Sequence, residues 1–170
     1  WTFEQENGKG DNTSRGIELS TNWSNKNLNV NFAYTATDSY SGMDCDDPAK
    51  DAFGYKKCID SNNGIVDSAM VRVPLHAISS KIDYNFNQYL NSSFLIKYRG
   101  QTRDYGGADQ DFRDQFLDEY LLVDLKNSYK LSNFYNLNFS IKNLLNKGHE
   151  NSYKYTGPPR TFDISLKKVF

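Results

Sequence analysis

The chain has 170 residues and a formal net charge of −1, which gives no electrostatic argument for nucleic-acid binding. Hydrophobic residues make up 38% of it and aromatic residues 15%, and no apolar run approaches the ~20 residues of a membrane helix. A membrane-spanning helix is therefore not expected within these residues. The values stay compatible with a membrane β-barrel, because only every second residue of a barrel strand faces lipid.

The first part of the chain predicts strands separated by polar loops. Trp1–Glu4 alternates in polarity like the tail of a strand already in progress, so we expect the sequence to begin inside a domain. After a Gly-containing loop, alternation predicts strands over Arg15–Trp23 and Leu28–Asp38. The Ser- and Asn-rich residues 24–27 between them predict a short turn.

A long loop is predicted over residues 39–69, and it carries two candidate features. Cys45 and Cys58 are an even count at short separation, which suits a disulfide in an oxidising compartment; two free thiols are the alternative. A group of carboxylates could bind calcium, although it lacks the Gly and Glu spacing of known calcium loops and a solvated acidic loop is the alternative. The group consists of Asp44, Asp46, Asp47 and Asp51.

The next strand, about Met70–Phe86, changes phase near Ala77. Such a change predicts a β-bulge, which inserts one residue and swaps the two faces. Pro74 fits a bulge or a strand end, because it cannot donate a ladder hydrogen bond.

The remaining elements follow the same alternation of polarity. The final strand has apolar Phe162, Ile164 and Leu166 on one parity, and its Lys168 can snorkel at a membrane edge. Its ten residues match the length of a tilted membrane strand. In order, we predict a turn at 87–91, a strand to about Arg103, a loop at 104–117, a strand from Glu119 to Leu131, a turn at 132–133, a strand from Tyr135 to Ile141, a loop at 144–160, and the strand Thr161–Phe170.

The loops between strands alternate strictly between long and short. An up-and-down outer-membrane barrel has this asymmetry, with short periplasmic turns and long outer loops. A soluble β-sandwich shows the same period of two, but its connections give no reason for loop lengths to alternate by side. No segment shows the spacing of an amphipathic helix. The sequence therefore predicts an all-β, antiparallel, up-and-down transmembrane barrel.

The two faces of the predicted strands differ in polarity. The polar face cannot line a dry core without a large desolvation cost, so we expect a wet lumen or a polar plug. Aromatic residues near strand ends match interfacial girdles, although Tyr is common in all strands. The polar-face residues are Glu18, Asn22, Asn29, Asn31, Lys97, Arg99, Asp124, Lys126, Lys142, Asp163 and Lys167, and the girdle candidates are Trp23, Tyr34, Tyr98, Tyr120, Tyr129 and Tyr135.

Particular motifs carry a family resemblance. Ile-Lys-Asn-Leu-Leu-Asn-Lys at 141–147, then Tyr153–Phe162 and the terminal Phe170, resembles the C-terminal end of TonB-dependent outer-membrane transporters. Ser14–Leu19 resembles a second stretch of that family, in which Arg-Gly-hydrophobic-Glu opens a barrel strand. The sequence departs from the family pattern at three loop positions, Leu145, His149 and Pro159.

The resemblance implies that residues 1–170 are the C-terminal segment, about seven full strands and a partial one, of a 22-stranded barrel without its plug domain. It implies import of a siderophore, haem, cobalamin or glycan across the bacterial outer membrane, with a weak preference for cobalamin. The implied partners are the lipid bilayer, the plug and remaining strands of the same protein, the TonB complex acting through the plug, and the barrel-assembly machinery. Phe170 would belong to the signal that this machinery recognises.

No catalytic set of residues is visible, so an enzyme is not expected. His76 and His149 are the only histidines, and either could serve haem or a metal. Ligand contacts are expected from aromatic and arginine residues of the outer loops. The candidates are Tyr40, Phe53, Tyr55, Arg103, Tyr105, Arg113, Tyr153 and Tyr155.

Two rival hypotheses remain open. One is a complete eight-stranded outer-membrane barrel with a structural or adhesive role, for which Trp1–Glu4 is too short as a closing strand. The other is a soluble carbohydrate-binding module, which the wet face and the terminal Phe170 oppose.

Overall fold

The computed structural model describes residues 13–40, 70–105 and 114–168, and we call these the described residues. They form eleven strands and no helix. The strands are β1 (Thr13–Ser24), β2 (Leu28–Tyr40), β3 (His76–Asn85), β4 (Leu90–Arg99), β5 (Thr102–Tyr105), β6 (Asp114–Leu117), β7 (Tyr120–Lys130), β8 (Tyr135–Lys142), β9 (Glu150–Ser152), β10 (Tyr155–Thr156) and β11 (Thr161–Lys168).

Seven strands form one antiparallel sheet in the order β1-β2-β3-β4-β7-β8-β11, with β1 and β11 at its edges. Each of these strands pairs with the next one along the chain, once the small sheets β5-β6 and β9-β10 are set aside. This is the up-and-down antiparallel order that the alternating loop lengths predict. The seven expected strands are therefore confirmed.

Cross-strand register separates the residues by polarity. Directly paired residues share a face of a sheet, so a row of partners can be followed from β1 to β11. One such row is apolar throughout and the next is polar throughout. The apolar row is Trp23–Val30–Ile82–Phe94–Leu125–Ile141–Phe162, and the polar row is Ser24–Asn29–Asp83–Ser93–Lys126–Ser140–Asp163.

The apolar face has almost no protein packed against it. Leu117 is the one buried hydrophobic side chain among the described residues, whereas Trp23 is 52% exposed and Ile164 is 71% exposed. A soluble monomer rarely exposes so large a continuous apolar face. The face therefore requires an apolar surrounding outside the chain.

Each of the three short turns is closed by a polar side chain. In the first two, the side-chain oxygen of Asn25 or Asn87 accepts hydrogen bonds from backbone N–H groups two and three residues later, at 2.8–3.0 Å. In the third, Ser132 Oγ accepts from the Phe134 N–H at 3.2 Å. These are the local side-chain bonds for which Asn and Ser are favoured in turns, and they confirm the predicted turns.

The predicted bulge near Ala77 is wrong. β3 begins at His76, six residues later than expected, and its register with β2 and with β4 is unbroken. The odd-numbered apolar residues that suggested a change of phase, Val71, Val73 and Leu75, precede the strand. Arg72 lies among them with a φ of 64°, so that segment turns instead of extending β3.

Two long connections contain hairpins that alternation did not predict. β4 ends at Arg99 instead of continuing to Arg103, and β5 then pairs with β6. Likewise, β9 pairs with β10 inside the connection between β8 and β11. We call that connection, residues 143–160, the strap. Strands of two to four residues are too short to show a period of two.

Candidate ligand-contact region at the long-loop end

A cleft of about 540 Å³ opens on the polar face at the long-loop end of the sheet. Polar-face positions of β2, β3, β4 and β7 form its floor, among them Thr35, Lys97 and Arg99. The strap contributes His149, Asn151 and Pro158 to its lining. The strap therefore lies against the polar face and partly covers the cleft.

Two cationic side chains line this cleft. Arg99 donates from Nη1 to the Asn151 carbonyl and from Nη2 to the Arg72 carbonyl, both at 3.2 Å. Lys97 precedes it on the same face of β4. Ion pairs within the described part of the chain join Arg15 to Asp38, Arg72 to Asp104 and Lys81 to Asp83, so no described carboxylate neutralises the two cleft cations.

Tyr120 also belongs to this region, which corrects its assignment to the aromatic girdle. It pairs with Arg99 and so lies on the polar face of the sheet. Its hydroxyl donates to Asn151 Oδ1 at 3.1 Å, and its ring lies 4.7 Å from the His149 ring, centre to centre. Nearness to a strand end suggested a girdle position, but the parity of the residue in β7 decides the face.

A buried carboxylate joins three chain segments beside the cleft. Asp104, at the end of the β5 segment, is completely buried. It accepts hydrogen bonds from Arg72 Nε at 3.0 Å, from Ser152 Oγ at 2.7 Å and from the Tyr153 N–H at 2.8 Å. A buried carboxylate needs such partners, because burying an unpaired charge is costly. Asp104 thus links residues 70–75, the β5–β6 hairpin and the strap.

A buried amide fixes the base of the strap. Asn143 is 4% exposed and adopts a φ of 51°. Its Nδ2 donates to the carbonyls of Lys147 at 3.0 Å and Pro158 at 3.2 Å, and its Oδ1 accepts from the Lys147 N–H at 2.9 Å. Its own N–H donates to Asp124 on β7 at 2.9 Å. Both ends of the strap are therefore tied together at β7.

The expected ligand-contact residues fall into three groups. Tyr155 is 74% exposed, and Tyr153 is half-buried with the Lys154 ammonium 5.5 Å from its ring centre. Arg103 is only 3% exposed, so its side chain lies inside the loop region. For the other candidates the structure describes no side chain: Tyr40 and Tyr105 are described as backbone, and Phe53, Tyr55 and Arg113 lie outside the described residues.

The two histidines occupy different surroundings. His76 Nδ1 lies 2.9 Å from the Tyr34 hydroxyl, with the two rings stacked on the apolar face. His149 packs against Tyr120 on the other face. Within the described ranges, no three His, Cys, Asp or Glu side chains group as metal ligands. The predicted haem or metal role of either histidine stays a prediction.

Several sequence predictions fall outside the described residues. They are the disulfide between Cys45 and Cys58, calcium binding by the acidic group at 44–51, and the assembly role of Phe170. Each of them stays a prediction.

Sequence reasoning missed the residues that organise this region. In the sequence, Asp104 is one of several acidic residues in a Gly- and Asp-rich loop, and Asn143 is part of the family-like motif at 141–147. Their partners are distant in the chain, up to 49 residues for Asp104 and 19 for Asn143. One weak signal was available for Asn143. Asn adopts the left-handed backbone conformation more readily than most residues, and Asn143 directly follows the end of β8.

No helix in the described segments is long and apolar enough to span a membrane.

Three solved structures that match this fold are receptors. The ferric-catecholate import receptor Fiu from Escherichia coli K12, in its closed form, matches with a TM-score of 0.72 and 20% identity, covering 95% of this chain and 21% of that one. The siderophore receptor PirA from Acinetobacter baumannii matches at 0.65 and 19%, covering 91% and 22%. The ferripyoverdine receptor of the Pseudomonas aeruginosa outer membrane, bound to ferripyoverdine, matches at 0.68 and 15%, covering 92% and 19%. The chain spans about one fifth of the length of each.

No curated protein matches the sequence. The family model described as TonB dependent receptor-like, beta-barrel matches residues 1–144, which is most of the chain and includes the Arg-Gly-Ile-Glu stretch at 15–18. The structural match to Fiu covers 95% of the chain and so extends beyond residue 144. The family match, the strand order and the two-faced register agree with one another. The chain belongs to the TonB-dependent receptor β-barrel family.

Proposed function

We propose that this chain is the C-terminal barrel segment of an outer-membrane receptor that imports a bulky metal chelate with energy from the TonB complex. The observation that carries the proposal is the pair of adjacent rows, one apolar and one polar, that cross all seven strands. Such a sheet has one face for lipid and one for a wet lumen. The family match assigns this sheet to receptors.

The proposed substrate class is a ferric siderophore. Its support is that the three matched structures named above are receptors for a ferric catecholate, a siderophore and ferripyoverdine. They offer no support for the earlier preference for cobalamin. The cleft is consistent with an anionic chelate, because Lys97 and Arg99 have no described carboxylate partner.

The remaining partners follow from the same proposal. The polar face would surround a plug domain of the same protein, the apolar face would contact the lipid bilayer, and β11 would lead to the terminal signal at Phe170 for the barrel-assembly machinery. The chain spans only about one fifth of its structural relatives, so these partners would be contacted by a much longer protein. A small complete barrel has no comparable support.

Uptake measurements test this proposal. The complete gene that contains this sequence is expressed in an iron-starved host that lacks its own siderophore receptors, and uptake of radioactive iron is followed with catecholate and hydroxamate chelates. We expect uptake of one chelate class that disappears when the host's TonB complex is deleted. Uptake that persists without the complex would overturn active transport. Uptake of radiolabelled cobalamin, with no uptake of either iron chelate, would overturn the substrate class.

A further inference from the structure

The strap is attached in two different ways at its two ends. At its base, Leu144 donates its N–H to the Val123 carbonyl at 2.7 Å, beside the buried amide of Asn143. At its tip, Ser152 and Tyr153 bond to Asp104. We propose that the strap is a lid over the polar-face cleft, fixed at its base by Asn143 and latched at its tip by Asp104.

The tip is held mainly by polar contacts. Just beyond the latch, the side chains of Lys154, Tyr155 and Thr156 are exposed, so the tip buries little apolar surface. Segments with few buried apolar contacts open at low free-energy cost. The base differs, because the side-chain and backbone bonds of Asn143 tie both ends of the strap to β7. Opening should therefore begin at the tip and leave the base in place.

The latch can open without leaving the buried Asp104 carboxylate unpaired. When Ser152 and Tyr153 withdraw, Asp104 keeps its ion pair with Arg72, whose Nε lies 3.0 Å from Oδ1. Water can then replace the two donors that the strap supplied. A buried carboxylate that lost every partner would oppose opening strongly, and the retained arginine removes much of that penalty.

Opening would uncover the floor of the cleft. Asn151 accepts hydrogen bonds from Arg99 and from the Tyr120 hydroxyl, and both bonds would break as the tip lifts. Lys97 and Arg99 would then face the lumen without the strap above them. The lid itself is independent of the proposed function. Only the further step, in which a transported chelate reaches these two cations, rests on the proposed function.

Hydrogen exchange in the purified full-length receptor, without any ligand, tests the latch. Asp104→Ala should speed exchange of the amides at 150–156 by about tenfold or more, the factor that corresponds to about 1.4 kcal/mol. Ser152→Ala removes a single bond and should give a smaller increase in the same amides. Amides of β7 and β8 should keep their wild-type rates in both variants. Asp118→Asn is the matched control, because it changes an exposed carboxylate of the same region.

Thiol labelling tests whether the strap covers the cleft. Lys97→Cys places a reporter on the cleft floor, and its labelling rate is corrected by that of the parent protein with its native cysteines. Adding Ser152→Ala or Asp104→Ala should raise the labelling rate several-fold, and adding Asp118→Asn should not.

The outcomes separate the lid from the transport proposal. Unchanged exchange at 150–156 in both latch variants, or unchanged labelling at position 97, would overturn the lid. If Asp104→Ala does not fold, Ser152→Ala alone decides, since it leaves the carboxylate paired with Arg72. A receptor that imports no iron chelate but shows the expected exchange would overturn the proposed function and leave the lid intact.

Discussion

Replacing Asn143 should release the base of the strap. The amide makes three hydrogen bonds at 2.9–3.2 Å while 4% exposed, so its loss leaves the Lys147 N–H and the Lys147 and Pro158 carbonyls without these partners. At about 1 kcal/mol for each bond, the loss is about 3 kcal/mol. Asn143→Ala adds a second cost of about 1 kcal/mol or more, because alanine disfavours the left-handed backbone. The φ of Asn143 is 51°.

Two variants separate these costs. Asn143→Gly removes the side-chain bonds but tolerates the backbone, so opening of the strap should become easier by about 3 kcal/mol, or roughly 150-fold. Asn143→Ala should reach about 4 kcal/mol, or roughly 1,000-fold. Asn143→Asp keeps the acceptor for the Lys147 N–H, so its effect on the free energy of strap opening should be smaller than that of the glycine or the alanine variant.

Hydrogen exchange of the amides at 144–160 in the full-length receptor provides the assay. The amide of Lys147 is the most direct reporter, because its bond to Asn143 Oδ1 is lost in the glycine and alanine variants. Exchange in β1 and β2 serves as the internal control. If the amides at 144–160 exchanged at the wild-type rate in the glycine variant, the side-chain hydrogen bonds of Asn143 would not be what holds the base of the strap.

Three further predictions concern the sheet and the strap. Ile82→Lys, in the apolar row, should destabilise the barrel in lipid vesicles by up to about 2–4 kcal/mol in denaturant titrations. Ser20→Lys on the polar face, where the directly opposite residue is the uncharged Ala33, should change stability little, and equal effects of the two variants would contradict the assignment of the faces. Gly16→Ala should lower stability by about 1–3 kcal/mol in the same titration, because its Cβ would overlap the backbone carbonyl of Ala36, and a neutral result would refute that close approach. Gly157→Ala would overlap the His149 ring, so thermal unfolding should show a loss that His149→Ala partly restores; a purely additive double variant would contradict the contact.

The sequence was sufficient to predict the seven long strands and the three short turns. Both depend on local patterns: alternation over eight or more residues, and Asn or Ser placed where a turn needs a side-chain acceptor. The separation into an apolar and a polar face followed from the same alternation. For Tyr120, its position near a strand end led to a wrong assignment to the aromatic girdle. Its parity in β7 places it on the polar face, where it contacts Asn151.

The arrangement of the long connections could not be predicted in the same way. The β5–β6 and β9–β10 hairpins are too short to show a period, and their contacts depend on residues far apart in the chain. Asp104 meets Ser152 across 48 positions, and no local pattern marks that pairing. Arg103 was predicted as a ligand contact because arginines of outer loops often anchor recognition surfaces, yet its side chain is buried one residue before Asp104.

The side-chain caps of the short turns bear on how the sheet assembles. Each capped turn joins two strands that are neighbours in both sequence and space, so β1–β2, β3–β4 and β7–β8 can form as hairpins by local contacts, within microseconds for an isolated hairpin. Joining one hairpin to the next closes a longer loop and has a larger entropic cost. The sheet therefore consists of three such hairpins and one further strand, β11, which the strap connects to its described partner β8. The longest connection between neighbouring strands of the sheet, residues 41–75, joins β2 to β3, so docking of the first hairpin onto the second should have the largest closure cost and be the slowest of these steps. Ordering of the strap should accompany the docking of β11.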